Sequence, residues 1–317
     1  MIGTRQTWKG AEQSAPGLLS VRPWYRSIRL NTNYLFLAPA TLFVLAMAVY
    51  PLIYNVQLSL RDVSARALIR GDAEFVGLDN YRRVLAGSEI WDSLGFSLFY
   101  TTISVALILV LGFWMAVLLR RSFPGAGALR AILLLAWILP TVVSGNVFRW
   151  MFDGDTGIVN FVIRTLGYPE SVYWLTNEHT AVIGVVVATV WSGAPLAMLL
   201  MVAGLLAISE SLYEAARIDG ASAWQRTWHI TIPMLRPVML TSAMLSFIYT
   251  FKTFDTIYIM TRGGPASATK VLPIFAYERA FQYFRFGEGA VATTLLLIIP
   301  LGIAVAYYIS IRREQHL

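Results

Sequence analysis

The chain has 317 residues, 57% of them apolar and only 14% charged, with a mean hydropathy of +0.61. Soluble domains carry about a quarter charged residues, so this chain lacks the charge to coat a water-facing surface, and a bilayer is the implied solvent. The absence of cysteine excludes disulfides, thiolate metal sites and cysteine nucleophiles, while the net charge of +7 raises nucleic acid as a partner until the positions of the charges are considered.

In chain order, Met1–Leu30 is a polar tail rich in Arg, Ser, Gly and Pro, expected to rest on anionic lipid. Residues 31–317 then form one membrane domain. A membrane helix needs roughly 20 mostly apolar residues. Six stretches qualify: Tyr34–Leu58, Leu94–Leu119, Ala131–Trp150, Ala181–Leu206, Pro237–Met260 and Gly289–Ile311. The expected fold is therefore all-α and polytopic, with six transmembrane helices. Ala38-Pro39-Ala40 imitates a signal-cleavage site, but hydrophobicity continues well past it, so a retained span is expected.

Charge sets the orientation. The N-terminal tail, the 120–130 and 208–236 loops and the C-terminal tail carry thirteen basic residues against five acidic ones. The opposite loops carry ten against twelve. Arg120-Arg121 and Arg312-Arg313 directly abut spans, which places both termini in the cytoplasm by the positive-inside rule. Positive charge gathered beside spans has its partner in membrane lipid, and the nucleic-acid reading loses its support.

The longest outer loop, Arg61–Ser93, contains "FVGLDNYRRVL", which reads as a capped short helix starting at Asp79-Asn80. In the fourth span, Gly193 and Pro195 of "WSGAP" predict a kink or local unwinding that frees backbone groups toward a cavity. "WILPT", Trp137–Thr141 in the third span, is a weaker signal of the same kind.

The polar loop 208–236 carries two capping-box patterns, Ser211-x-x-Glu214 and Ser222-x-x-Gln225, separated by Asp219-Gly220. Glycine accepts a positive φ, so the loop reads as helix (Leu212–Ile218), turn, helix (Ala223–Ile230), with Pro233 and Pro237 ending the second helix. Small residues at Ala215, Ala216, Gly220 and Ala221 let another surface approach closely. A rigid cytoplasmic hairpin that docks a partner accounts for this better than a mere connector.

In the fifth span, Ser246, Tyr249, Thr250 and Thr253 recur at helical spacing on one stripe. Hydroxyls and a ring suit a sugar, but serine and threonine also bond their own i−4 carbonyls or glue helices together. Lys252 and Asp255 lie on another face, three residues apart, and mutual neutralisation is the simplest account of them.

"EAARIDGA" followed by "ITIP" resembles the EAA loop of permease subunits of binding-protein-dependent ATP-binding-cassette importers. The match runs through Glu214, Ala215, Ala216, Asp219, Gly220, Ala221, Ile230 and Pro233, and departs at Ile232, where leucine is usual. "FVGLDNYRRVL", "FDTIYIMTRGGP" and "GEGAVATT" are similar to the carbohydrate-uptake branch, of the maltose and glycerol-phosphate type. The resemblance implies a multi-pass permease of a bacterial inner membrane for a sugar or polyol derivative. Glu214–Ala221 would be its coupling helix, and Ser246, Tyr249, Thr250 and Thr253, with the Gly193 region, would line the solute pathway. It also implies a second homologous permease, two ATPase subunits that bind ATP and Mg, and an extracytoplasmic solute-binding protein. The chain itself has no phosphate loop, since "GGPASATK" lacks the second glycine, and its three histidines are scattered. It is expected to be no enzyme and to hold no cofactor. The alternative, an ion-coupled secondary transporter, calls for ionisable residues in several spans and an inverted repeat, against which only Lys252 and Asp255 stand.

Overall fold

The computed structural model describes residues 36–120 and 123–314; the tail Met1–Leu30 and Arg121 of the basic pair lie outside the described residues. The chain divides after Ile53 into two compact units. In the first, residues 36–53 are helical through one wide π-type turn at Leu45–Val49, and Phe36, Leu42 and Met47 point outward. Apolar side chains left this exposed suit a hydrocarbon solvent.

The helix begun there, α1 (Phe36–Ser59), ends in the second unit. A two-residue antiparallel pairing of β1 (Arg61–Asp62) with β2 (Glu74–Phe75) follows and brackets the short helix α2 (Ala65–Arg70). The expected short helix is α3 (Asp79–Ala86), although no side chain caps it. Asn80 is instead buried and donates to the carbonyls of Ser59 (2.8 Å) and Arg61 (2.9 Å), fixing the chain where α1 leaves the membrane.

Two long helices make the spine of this unit: α4 (Ser88–Leu119) and, later in the chain, the fourth span Glu178–Leu206. They share two apolar clusters, one around Tyr100, Ile108, Val185 and Val190, the other around Phe113, Met198, Met201 and Leu205. The fourth span stays helical through Gly193 and Pro195, so the unwinding expected there does not occur. Gly193 serves close approach instead: a Cβ on it would stand 2.6 Å from Cδ1 of Ile108. Small residues that let helices touch are what drives association where lipid is as apolar as leucine.

The break falls in the third span. It consists of α5 (Ala126–Ile138) and α6 (Thr141–Met151), bent by 95°. Leu139 precedes proline and is pushed to ψ 138°, which ends α5, and Pro140 follows at ψ 133°. Beyond it lie α7 (Ile158–Thr165) and α8, the Glu178–Leu206 span. The hairpin begins with α9 (Glu210–Ile218), and α10 (Ala223–Phe251) is the fifth span.

Pro233 and Pro237 do not terminate the hairpin's second helix, contrary to expectation. A π-type turn at Thr227–Thr231 shifts the hydrogen-bond register just before Pro233, whose missing N–H an ordinary turn would need. The hairpin's second helix and the fifth span are thus one continuous helix, Ala223–Phe251. That span ends at Phe251 rather than Met260, and α11 (Asp255–Thr261) starts a new helix. Helix α12 (Leu272–Tyr277) precedes the last span, α13 (Phe286–Glu314).

The start of α4 is tied by charge to the segment around α12. Glu89 pairs with Lys270 (3.1 Å) and with Arg279, while Lys270 also reaches Glu278 (2.9 Å). Burial alone would lower the Lys270 ammonium, but its bonds to Glu278 and Glu89 outweigh that and hold it above the ordinary lysine value.

Asn80→Ala removes the side-chain donor to the Ser59 carbonyl at the end of α1 and one of two donors to the Arg61 carbonyl, which keeps the Val63 N–H. The expected loss is about 1–3 kcal/mol of stability, read as a lower melting temperature of the purified complex; an unchanged melting temperature contradicts this role.

Candidate functional site

The hairpin is built as a rigid projection. Helix α9 closes with Gly220 at φ +78°. The Gly220 N–H donates to the Arg217 carbonyl (3.0 Å) and the Ala221 N–H to that of Ala216 (2.9 Å). This pair of bonds is the Schellman motif, which needs a left-handed residue and takes glycine for want of a Cβ. The second capping box is present: Gln225 N–H donates to Ser222 Oγ (3.3 Å) and Ser222 N–H to Gln225 Oε1 (2.8 Å).

The first capping box is not formed. Helix α9 starts earlier, with Ser209 as its flanking residue, and the Ser209 and Ser211 hydroxyls bond each other at 2.7 Å. Starting there brings Glu210, Tyr213 and Arg217 onto one face, where i, i+3 and i+7 meet.

At its centre that face is buried, while Glu210 and Arg217 stay exposed at its edges. Tyr213 is buried and its hydroxyl bonds Thr231 at 3.0 Å. A cavity of about 790 Å³ lies between it, the end of α4 and the start of α10, with Arg120, Arg217 and Arg226 on its walls. The opposite face is open: Glu214, Ala215, Asp219 and Gly220 are exposed, Ala216 and Ala221 half-buried, and Ile218 is 87% exposed at the tip. An apolar tip ringed by small side chains leaves room for another surface to approach closely. Trp224 and Trp228 stack edge-on, ring centres 5.5 Å apart, and remain more than half exposed.

Within the spans, the predicted stripe divides. Tyr249 is 55% exposed and Ser246 half-buried. Thr250 is buried, and the half-buried Thr253 returns its hydroxyl to the Tyr249 carbonyl at 3.1 Å. Gly193 packs against Ile108, as described above.

Lys252 and Asp255 do not neutralise each other. The Lys252 ammonium lies 4.9 Å from the centre of the Tyr249 ring, and Asp255 accepts from the Thr141 hydroxyl at 3.1 Å. The break between α10 and α11 turns the two side chains toward different neighbours. It also sets the start of α11 beside the start of α6, so the two interrupted spans meet at their interruptions. Polar side chains exposed within spans call for a cavity or a neighbouring chain rather than lipid.

Thr141 appears in the sequence only as the end of "WILPT", with nothing local that points to Asp255 as its partner. Glu210, Tyr213 and Arg217 share a face only because α9 starts at Glu210 rather than at Leu212, where the Ser211 cap pattern places it.

The model of the family described as binding-protein-dependent transport system inner membrane component matches residues 108–311. The chain is similar to the trehalose/maltose transport system permease protein MalF of Thermococcus litoralis, at 36% identity over 89% of this chain and 94% of that one. It is similar to the diacetylchitobiose uptake system permease protein DasB of Streptomyces coelicolor, at 32% identity over 89% and 87%. It is also similar to the sulfoquinovosyl glycerol transport system permease protein SmoG of Agrobacterium fabrum, at 30% identity over 92% and 95%. Among solved structures, a chain of a bacterial importer of the acidic polysaccharide alginate shares the fold, with a TM-score of 0.76, 19% identity and coverage of 92% of this chain and 98% of that one.

Gly220→Val forces a β-branched side chain into the left-handed region, at about 1–3 kcal/mol of strain. The subunit is expected to insert in the membrane, while its co-purification with an ATPase subunit falls and uptake stops. Wild-type assembly and uptake contradict the hairpin's assignment.

Proposed function

We propose, for a chain that belongs to the family of binding-protein-dependent transport system inner membrane components, that the solute it carries is a sugar or polyol derivative. As a member of that family it is a membrane-embedded translocation subunit of an ATP-driven importer, a transport component rather than an enzyme. The carbohydrate class is supported by the names of its relatives, which transport trehalose/maltose, diacetylchitobiose and sulfoquinovosyl glycerol. The ion-coupled alternative has no observation in its favour.

In this reading the chain pairs with a second, homologous permease. Two ATPase subunits, which bind ATP and Mg, dock beneath the permease pair from the cytoplasm, one of them on the exposed face Glu214–Ala221. A soluble binding protein delivers solute from the other side. ATP binding closes the ATPase pair, displaces the hairpin and turns the pathway outward; hydrolysis resets it. The chain holds no cofactor of its own, and both its termini lie in the cytoplasm.

The pathway runs past Ser246, Tyr249, Thr250 and Thr253, with Tyr249 as the main contact. Its exposed ring supplies a flat face for sugar C–H groups and its hydroxyl a hydrogen bond. Thr250 and Thr253 shape the wall from behind, and Gly193 sets how closely α8 approaches α4 beside it.

Two experiments test this reading. Tyr249→Ala removes a hydrogen bond worth about 0.5–1.5 kcal/mol and a ring face. Uptake across a panel of sugars is expected to fall and change in selectivity, while the melting temperature of the complex holds. A stability loss with unaltered selectivity means that Tyr249 is packing. A phosphatase fused after Leu317 is expected to be inactive and one inserted near Gly87 active; the reverse pattern overturns the orientation.

A further inference from the structure

We propose that Arg120 is a positioning residue that fastens the second span to the hairpin and carries the hairpin's displacement along α4. The proposal rests on the reading that an ATPase docks on the hairpin, and concerns how that motion leaves it. Two contacts meet at this one guanidinium, and a third extends them to α10. Arg120 Nη2 stands 3.0 Å from Glu210 Oε2 on α9. Its Cζ lies 4.5 Å from the centre of the Tyr213 ring. Tyr213 in turn bonds Thr231 of α10 at 3.0 Å, with both side chains buried.

The second oxygen of Glu210 faces Arg217 at 3.4 Å, so the carboxylate is held from both sides. A planar guanidinium can stack on a ring and bond a carboxylate at once, which a lysine ammonium does not reproduce. Arg120 also sits at the C-terminal end of α4, where a cation is favoured by the helix dipole.

Stability alone is a poor account of this arrangement. Glu210 is 57% exposed and Arg120 25%, and pairs so open to solvent add little to a folded state. Their geometry, by contrast, joins three elements that must move together. Helix α4 then runs 32 residues, on the order of 48 Å, to the outer side. There Glu89, in its first turn, holds Lys270 and Arg279. The rod is thus gripped by charge at both ends, and a push on the hairpin reaches the outer segment that contains α12.

The test uses full-length chain assembled with its partner subunits in liposomes, with ATP hydrolysed and sugar imported measured together. Arg120→Ala is expected to keep hydrolysis but lower the sugar imported per ATP by roughly fivefold or more, the low end of typical coupling between sites. Glu210→Gln, a near-isostere, is expected to lower the same ratio. A wild-type ratio in both single variants overturns the proposal. Where Arg120→Ala fails to assemble, Glu210→Gln alone decides: an unchanged ratio overturns it and a lowered one supports it. Failure of the docking reading looks different, because Gly220→Val would then leave import intact whatever the Arg120 variants do.

Discussion

The contact between the second and fourth spans is so close at Gly193 that a single added Cβ would press on Ile108. Lipid supplies no hydrophobic force to pull helices together, so the pair is held by fit and by a few polar contacts. The Tyr100 and Thr189 hydroxyls meet between the two helices, and Ser97 accepts from the Leu272 N–H at 2.7 Å, hanging α12 on α4. The third and fifth spans can then be broken without loss of the fold, because an intact pair stands behind them.

Those breaks place chemistry at depth. An interrupted span leaves backbone and side-chain polar groups that lipid cannot satisfy. Here the two interruptions answer each other through Thr141 and Asp255, while Tyr249 and Lys252 stay open beside them. At its other end the fifth span continues without interruption into the hairpin, from the Ser222 cap to Phe251. One helix therefore carries both the exposed ring and, across the Gly220 turn, the face that a partner would cover.

Much of this was legible in the residues. Span number followed from hydropathy, and Gly220 and the Ser222 box followed from local chemistry that tertiary contacts do not override. Proline is less legible, because its effect depends on its neighbours. Pro195 leaves α8 unbroken, packed between neighbours, Pro233 is absorbed by a π-type turn, and Pro140 bends a span by 95° with an extended leucine before it. The i, i+3 rule paired Lys252 with Asp255 on the assumption of a continuous helix, and the break at that point removed the premise. Contacts between distant residues, such as Arg120 with Glu210, leave no local trace. They become visible only when two helix ends are brought together.

The most direct measurement is sugar uptake into liposomes holding this chain and its partner permease, with and without the ATPase subunits, under an imposed ion gradient or with ATP. The account expects uptake only when ATP, the ATPase subunits and the binding protein are all present, and no uptake under a gradient alone. Gradient-driven uptake by the membrane subunits without any ATPase would contradict it.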